Sequence, residues 1–188
     1  MIRSFLAIEL PFTIIKKIKK VQDDLKSSLF SVKWVRPESI HLTLKFFGNI
    51  EEESIEEISR VITGVTSKFS PFHLEIRDIG AFPSLIRPRV IWVGVDERGD
   101  TLKILYNMIE KNLETIGFDP EQRQFNPHLT LGRVKSLEGK RTLIDKVEQC
   151  KGCDLGVFQV EALYLFKSEL RPAGAVYSKL STFKLTGS

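Results

Sequence analysis

The sequence predicts an α+β protein made of two similar halves, each with a largely antiparallel sheet and flanking helices. The tetrapeptide His-Leu-Thr-Leu occurs twice in the 188 residues, at 41–44 and 128–131, and uses two of the three histidines. The two halves also share one order of expected elements: strand, helix, a strand that carries the tetrapeptide (a His strand), helix and strand. A motif that recurs at the same place in a repeated order indicates a duplicated fold.

The first half, about residues 1–87, is read from alternating apolar residues, which indicate strands, and from apolar steps of three and four, which indicate helices. Pro11 suits the first turn of a helix, Gly48 ends a strand, and the acidic residues at 51–53 favour a helix start through the helix dipole. In order, we expect a strand at 4–9, a helix at 11–29, a strand at 32–35, the first His strand, a helix at 51–67 and a strand at 72–81.

The second half, about residues 88–188, repeats this order and adds a strand at its end. Leu102, Leu105 and Ile109 recur at helical steps and mark an amphipathic helix. No Gly/Ser-rich linker separates the halves, so we expect a single bilobal domain over residues 1–188, with two sheets around a central cleft. In order, we expect a strand at 89–95, a helix at 102–116, the second His strand, a helix at 137–149, and strands at 158–167 and 176–183.

Each His strand presents one imidazole and one hydroxyl on the same side. Side chains in a strand alternate between its faces, so His41 and Thr43 point one way and the neighbouring leucines the other. His128 and Thr130 repeat this arrangement in the second copy. A single histidine of this kind is as often a hydrogen-bonded core residue as a functional one. Two copies on repeated strands favour a functional pair, which a pseudo-twofold axis would bring together in the cleft.

The same alternation makes predictions for neighbouring side chains. Phe46 would join the apolar face of the first His strand, and Lys45 would share the His41 face as a solvated lysine. His73 lacks a following threonine and a counterpart in the repeat. We therefore expect His73 to face solvent from a strand.

Composition describes a globular protein. Hydrophobic residues make up 42% and charged residues 28% of the chain, which is unlike a disordered protein. No apolar segment approaches the roughly 20 residues of a membrane helix, and the first residues lack the features of a signal peptide. We therefore expect a cytoplasmic protein with no membrane partner. The net charge of +4 permits an anionic partner without requiring one.

Motifs of other enzyme classes and of metal sites are missing from the sequence. It contains neither the His-Glu-x-x-His motif of zinc hydrolases nor the Gly-x-Ser-x-Gly motif of serine hydrolases. Cys150 and Cys153 form a lone Cys-x-x-Cys pair, which lacks the second pair that a structural zinc site needs. Either a disulfide or two free thiols fits this spacing.

With its two motifs, the chain resembles the 2H phosphoesterase superfamily, which is named for two His-x-Thr-x motifs. Within it, the chain is similar to the RNA 2′,3′-cyclic phosphodiesterase branch, also called the 2′-5′ RNA ligase family. The resemblance implies a bilobal duplicated fold, chemistry without a metal or other cofactor, and RNA ending in a 2′,3′-cyclic phosphate as partner, with tRNA as one candidate. We also expect a monomer. The matching stretches run through most of the chain, at residues 3–8, 34–35, 41–48, 88–94 and 125–133.

The resemblance implies that His41 is the proton donor and His128 the proton acceptor in hydrolysis of the cyclic phosphate to a 2′-phosphomonoester. Two imidazoles suit this reaction because the attacking water loses a proton while the departing oxygen gains one. Thr43 and Thr130 lie on the faces from which hydroxyls can donate to the phosphate oxygens, although threonine favours strands in general.

Arg133 matches an arginine that follows the second motif in this family, and a guanidinium there would bind the phosphate. Strict alternation points Arg133 away from the His128 face. A strand end or a β-bulge would have to redirect the side chain.

Two other functions agree with the same residues. The reverse reaction would join RNA ends through a 2′-5′ linkage, and a non-catalytic protein of this fold would only bind RNA or a nucleotide. The intact histidine pair favours catalysis, because a binding protein has no need of two proton-transfer groups.

Overall fold

Across the residues that the structure describes, 1–27, 31–136, 138, 140–172 and 174–187, the computed structural model has nine strands and four α-helices. A 3₁₀ turn at Pro37–Ser39 precedes the first His strand. The strands are β1 (Ile2–Glu9), β2 (Val32–Trp34), β3 (His41–Ile50), β4 (Phe72–Phe82), β5 (Val90–Asp96), β6 (His128–Val134), β7 (Asp154–Val160), β8 (Ala162–Arg171) and β9 (Gly174–Lys184). The helices are α1 (Phe12–Lys26), α2 (Ser54–Thr66), α3 (Thr101–Glu114) and α4 (Lys140–Gln149).

The strands form one antiparallel sheet in the order β7-β4-β5-β6-β3-β1-β8-β9, with β2 paired to β6. This arrangement confirms the predicted α+β class. The two expected sheets are continuous with each other, because β3 and β6 pair at Leu42 and Leu129. Beyond this bridge β6 leaves β3 and pairs with β2 from Gly132 to Val134. The sheet therefore has two halves, joined where the two His strands meet.

Each half of the sheet combines strands from both halves of the sequence. The His41 half-sheet consists of β3, β1, β8 and β9, and the His128 half-sheet consists of β6, β5, β4 and β7. The single strand expected at 158–167 is wrong: Glu161 separates β7 from β8, and these strands lie in different half-sheets. Every second residue is buried on both sides of Glu161, at Phe158, Val160 and Ala162. The alternation of apolar residues therefore continues unchanged from one strand to the next and does not indicate the boundary between them.

The helices cover one face of the sheet and leave the other face to the histidines. Apolar residues of α1 and α3, among them Ile18 and Leu105, pack in one core with Leu42 and Leu129. Burial of each such side chain contributes roughly 1.5–3 kcal/mol. The expected end of α1 at residue 29 and start of α4 at residue 137 lie outside the described residues. Within the described part of the chain, no helix has the length and apolar character needed to cross a membrane.

Candidate active site

The Leu42–Leu129 bridge brings the two motifs together. Leu42 and Leu129 are 1% and 0% exposed, so the residues on either side of each leucine point to the opposite face. Continued by one step, the register of the bridge sets His41 opposite Thr130 and Thr43 opposite His128. All four side chains are half-buried. The structure thus gathers the four predicted motif residues on one face of the sheet.

Each imidazole is oriented by a hydrogen bond to the backbone carbonyl two residues before it. Nδ1 of His41 lies 2.8 Å from the carbonyl oxygen of Ser39, and Nδ1 of His128 lies 2.7 Å from that of Asn126. A carbonyl can only accept, so each Nδ1 carries the hydrogen and donates. Each Nε2 is therefore available to give or take a proton, and the contact fixes the tautomer and the ring orientation.

Both motifs end in a β-bulge at the same position. Leu44 has no partner in the β1–β3 register, which passes from Leu6–Lys45 to Ala7–Thr43. Leu131 is likewise unpaired between the Ile91–Gly132 and Trp92–Thr130 pairs of β5 and β6. A bulge adds one residue to one strand, so the alternation of faces changes after it.

This change of face corrects two predictions. Lys45 is 7% exposed and lies in the core, whereas Phe46 is 68% exposed and lies on the His41 face. After the second bulge, Gly132 is buried and Arg133 is exposed. The bulge that the Arg133 assignment required is therefore present. His73 is exposed on β4, as predicted.

Lys45 and Glu110 form a buried ion pair beneath the first motif. Lys45 Nζ lies 2.8 Å from Glu110 Oε2 and donates to the carbonyl of Asp119 at 2.6 Å. The same carboxylate oxygen accepts the backbone N–H of Glu121 at 2.7 Å. The network therefore ties β3 to the segment that leads to His128. A charged pair is retained in the core only when its hydrogen bonds offset the desolvation cost.

Gln22 of α1 supports the second motif in the corresponding way. Its side chain is fully buried, and Nε2 donates to the carbonyls of Val35 at 2.8 Å and Leu131 at 2.9 Å. Leu131 is the bulged residue of β6, so Gln22 holds the bulge in place. Helices α1 and α3 each send one buried polar side chain beneath the His strand of the other half. The supporting roles of Gln22 and Glu110 are not predicted from the sequence. Each is a polar residue on the apolar face of its helix, and this position is the sequence feature that could have pointed to a buried polar contact.

Aromatic rings enclose His41. The Phe5 ring stacks on the imidazole at 4.5 Å between centroids, and the Tyr177 ring meets it edge-on at 5.2 Å. Burial lowers the pKa of His41, while the Ser39 carbonyl and the Glu9 carboxylate act to raise it. Glu9 is the cross-strand partner of His41.

Arg133 and Arg3 extend their charges toward the His41 side. Burial raises the pKa of Tyr177, and the positive charges of Arg133 and Arg3 oppose this rise. The Tyr177 ring meets the His41 imidazole, so the charge that Arg133 exerts on Tyr177 lies on the His41 side of the sheet. The surroundings of the two motifs therefore contain two imidazoles, two hydroxyls and a nearby positive charge.

Within the described residues, no group of three or more His, Cys, Asp and Glu side chains is arranged to hold a metal ion. Cys150 and Cys153 are free thiols. Burial raises the pKa of each thiol. The structure thus has the free-thiol form of the two that the sequence left open.

Comparison with known proteins places this chain in a family. A family model described as LigT-like phosphoesterase matches the chain twice, over residues 8–92 and 93–177. The chain is 36% identical over 184 residues to a Methanothermobacter thermautotrophicus protein named RNA 2′,3′-cyclic phosphodiesterase, with 98% of this chain and 99% of the relative covered. A Methanocaldococcus jannaschii protein of the same name is 36% identical over 175 residues, with 93% and 96% covered.

The similarity extends to solved structures. TT0787 of Thermus thermophilus has a TM-score of 0.82 and 26% identity over 99% of both chains. Escherichia coli LigT in its apo form has a TM-score of 0.76 and 25% identity over 98% of both chains. These matches confirm the family resemblance found in the sequence. The chain belongs to the LigT-like phosphoesterases, of the 2H type.

Proposed function

We propose that this phosphoesterase opens RNA-terminal 2′,3′-cyclic phosphates to 2′-phosphomonoesters. The observation that carries the proposal is the pair of imidazoles on one face of the sheet, each with Nδ1 bound to a backbone carbonyl, which leaves Nε2 for proton transfer. Such a pair can move the two protons of the reaction in one step. Relatives that match the chain over nearly its full length bear the name RNA 2′,3′-cyclic phosphodiesterase.

In this mechanism, His128 accepts a proton from the attacking water, and His41 donates a proton to the departing 3′-oxygen. The P–O3′ bond breaks while the new P–O bond forms, which leaves the phosphate on O2′. The neighbours of the two rings differ. Burial lowers the pKa of His41, and the Glu9 carboxylate opposite the ring acts against this lowering, whereas Gly94 opposite His128 has no side chain.

Burial of His41 lowers its pKa before any substrate charge is considered. An anionic phosphodiester beside the ring would favour the imidazolium, so substrate binding supplies the protonated donor. A donor whose intrinsic pKa is lowered by burial also gives up its proton more readily to the leaving oxygen. Burial and substrate charge therefore act together in the proposed role of His41.

Thr43 and Thr130 are proposed to donate hydrogen bonds to the non-bridging phosphate oxygens, where negative charge concentrates. Their positions opposite the two histidines support this role. Arg133 is proposed to bind the same oxygens with its guanidinium, since charge-assisted hydrogen bonds to phosphate are strong. E. coli LigT, which is 25% identical to this chain, has been solved in complex with phosphate.

The exposed Phe46 ring supports an RNA substrate. It lies on the His41 face, 6.0 Å from the Phe5 ring between centroids. An exposed aromatic ring beside a phosphate site can stack on the base of the terminal nucleotide. We propose that Phe46 contacts the nucleoside that carries the cyclic phosphate.

The test is hydrolysis of adenosine 2′,3′-cyclic phosphate in the presence of EDTA, with products separated by chromatography. We expect 2′-AMP alone. The protein with both His41→Ala and His128→Ala is the control for background hydrolysis. Formation of 3′-AMP would contradict the proposed bond cleavage. Binding of the cyclic nucleotide without turnover would instead show a non-catalytic binding protein.

A further inference from the structure

The two cysteines of the chain, Cys150 and Cys153, occupy the first and last positions of one tight turn. The turn follows α4, and the backbone N–H of Cys153 donates to the carbonyl of Cys150 at 3.2 Å. Gly152 is the third residue of the turn and has a φ of 76°, as a type II β-turn requires. The pair is therefore held in a defined turn of four residues.

This turn places the two cysteines at a spacing that a disulfide can bridge. The first and last Cα atoms of a β-turn lie less than about 7 Å apart, and those of a disulfide usually lie about 4.4–6.8 Å apart. The charge of Cys150 acts on the Cys153 thiol and helps to raise its pKa, as expected of neighbouring side chains. Both residues are partly exposed, so a small oxidant can reach them.

Neither thiol is stabilised as a thiolate. Burial raises the pKa of Cys150, and the carboxylate of Asp24 adds to this rise. Burial also raises the pKa of Cys153, with further contributions from Cys150 and Asp78. A low thiol pKa stabilises the reduced form of a cysteine pair and makes its disulfide easy to reduce. That stabilisation is lacking here, so the closed turn can favour the disulfide.

Two hydrogen bonds tie the turn to Asp78 of β4. The Asp78 carboxylate accepts the backbone N–H of Gly152 at 2.7 Å, and the Asp78 backbone N–H donates to the carbonyl of Cys153 at 3.1 Å. Gly152 lies between the two cysteines, and Cys153 is one of them. A constraint on the turn therefore acts directly on Asp78.

Asp78 connects the turn to the surroundings of the second His strand. It forms a β-bulge, without a partner between the pairs that Arg77 and Ile79 make with β5. Its φ of 58° lies in the left-handed region, which residues other than glycine seldom adopt, so its position depends on the hydrogen bonds that hold it. Asp78 and His128 both line a pocket of about 450 Å³. The turn thus supports one wall of a pocket that reaches the proposed catalytic group.

We infer that Cys150 and Cys153 form a reversible disulfide, which locks Asp78 in place and stiffens one wall of the pocket beside His128. The disulfide joins the ends of the turn covalently, so the turn loses the freedom to open. Both hydrogen bonds between Asp78 and the turn then open less often. Oxidising conditions fix the pocket wall, and reducing conditions release it.

Thiol–disulfide exchange with oxidised glutathione is a balanced route to this state. The thiolate of one cysteine attacks a glutathione sulfur, the glutathione S–S bond breaks, and one reduced glutathione leaves. The thiolate of the other cysteine then attacks the cysteine sulfur of the mixed disulfide and releases the second glutathione. The protein gives up two electrons and two protons, and the glutathione disulfide takes them up as it becomes two thiols.

The first test incubates the reduced protein with oxidised glutathione and measures free thiols, intact mass and migration on a non-reducing gel. We expect both thiols to disappear together from a monomer whose mass falls by two hydrogen atoms, and dithiothreitol should restore them. Cys150→Ser and Cys153→Ser should each keep a glutathione adduct, because the second thiol is missing. Persistent free thiols, adducts on both cysteines or a disulfide between two chains would overturn the inference.

The contribution of the turn is tested at its glycine. The disulfide requires the closed turn, whereas the reduced protein can leave it. Gly152→Val should therefore lower the equilibrium constant for disulfide formation about tenfold, since the left-handed conformation is unfavourable for a residue with a side chain. Gly117→Val is the matched control, because Gly117 is also exposed and has a φ of 89° in a turn without cysteines. Equal constants in the two variants would overturn the inference.

Hydrogen exchange tests the lock on Asp78 in the wild-type protein. The amides of Gly152 and Asp78 should exchange about tenfold more slowly after oxidation, because each exchanges through opening of the turn. The Gly117 amide, which donates to the carbonyl of Glu114 at 3.1 Å, should exchange at an unchanged rate. Unchanged exchange at Asp78 in fully oxidised protein would overturn the inference. None of these measurements uses a cyclic phosphate, so they give their result whether or not the proposed function is correct.

Discussion

Leu42 pairs with Leu129 at the point where the two half-sheets join. The two leucines are buried under the helices. Their neighbours along the strands point to the opposite face of the sheet, so the leucine pair also fixes the relative positions of four other side chains: His41, Thr43, His128 and Thr130. The geometry of the site therefore depends on the core beneath it.

Replacement of either histidine should remove most of the activity. We expect His41→Ala and His128→Ala each to lower kcat on a 2′,3′-cyclic nucleotide by about 10²–10⁴, the usual value of a positioned proton transfer. His73→Ala is the matched control, since His73 is exposed on β4. Initial rates and thermal unfolding curves would be recorded for all three. A near-normal rate in either motif variant would refute the acid–base pair.

The hydroxyl groups of Thr43 and Thr130 should contribute more to catalysis than the branched shape of their side chains. Thr43→Val and Thr130→Val keep the branched side chain and remove the donor, and we expect kcat to fall by about 10²–10³, as for loss of an oxyanion donor. Thr43→Ser and Thr130→Ser keep the hydroxyl and should recover most of the rate. Valine variants as active as the serine variants would show that the residues serve only strand packing.

Arg133 should act mainly on substrate binding. A hydrogen bond to a charged group contributes about 1.5–3 kcal/mol, so Arg133→Ala should raise the KM for the cyclic nucleotide by about tenfold to 150-fold. Arg133→Lys keeps the charge but lacks the paired N–H donors of a guanidinium, so its KM should lie between that of wild type and that of Arg133→Ala. Arg60→Ala on the exposed face of α2 is the control. An unchanged KM in Arg133→Ala would remove this residue from the site.

The Glu9 carboxylate should tune the pKa of His41. A negative charge favours the imidazolium, so Glu9→Gln should lower the pKa of His41 below its already lowered value. If His41 is the proton donor, the alkaline limb of the pH–rate curve moves to lower pH. NMR titration of the imidazole and rates between pH 5 and 9 would measure both effects.

Glu169→Gln is the matched control for this experiment, because the Glu169 carboxylate pairs with Lys167 and Arg171. Glu169→Gln should leave the pKa of His41 unchanged. A shift of the His41 titration to higher pH in Glu9→Gln would contradict the assigned sign.

Loss of one member of the Lys45–Glu110 pair should lower the stability of the protein more than replacement of both members. Lys45→Ala leaves the buried Glu110 carboxylate without its partner, which should cost about 3–5 kcal/mol in the free energy of unfolding. Lys45→Met together with Glu110→Gln removes both charges and should recover most of that loss. Urea unfolding would measure each variant.

An exposed ion pair provides the comparison for the buried one. Lys19 pairs with Asp23 on the surface of α1, and Lys19→Ala should change stability far less than Lys45→Ala. If the Lys45→Ala protein were as stable as wild type, the pair would not hold β3 to the segment before His128.

Local patterns in the sequence determined much of this protein. The two-residue period placed His41 with Thr43 and His128 with Thr130, and the repeated order of elements predicted the α+β class. These features depend only on neighbours along the chain, because strand alternation and helix periodicity are properties of a single segment.

The tertiary structure decided which segments meet and where the alternation changes. Lys45 is buried and Phe46 exposed because of a bulge that depends on pairing with β1. The roles of Gln22 and Glu110 arise from contacts with the other half of the chain. Glu161 divides two strands because the chain crosses there between the two half-sheets. Each of these features requires a partner distant in sequence, and a local pattern contains no information about that partner.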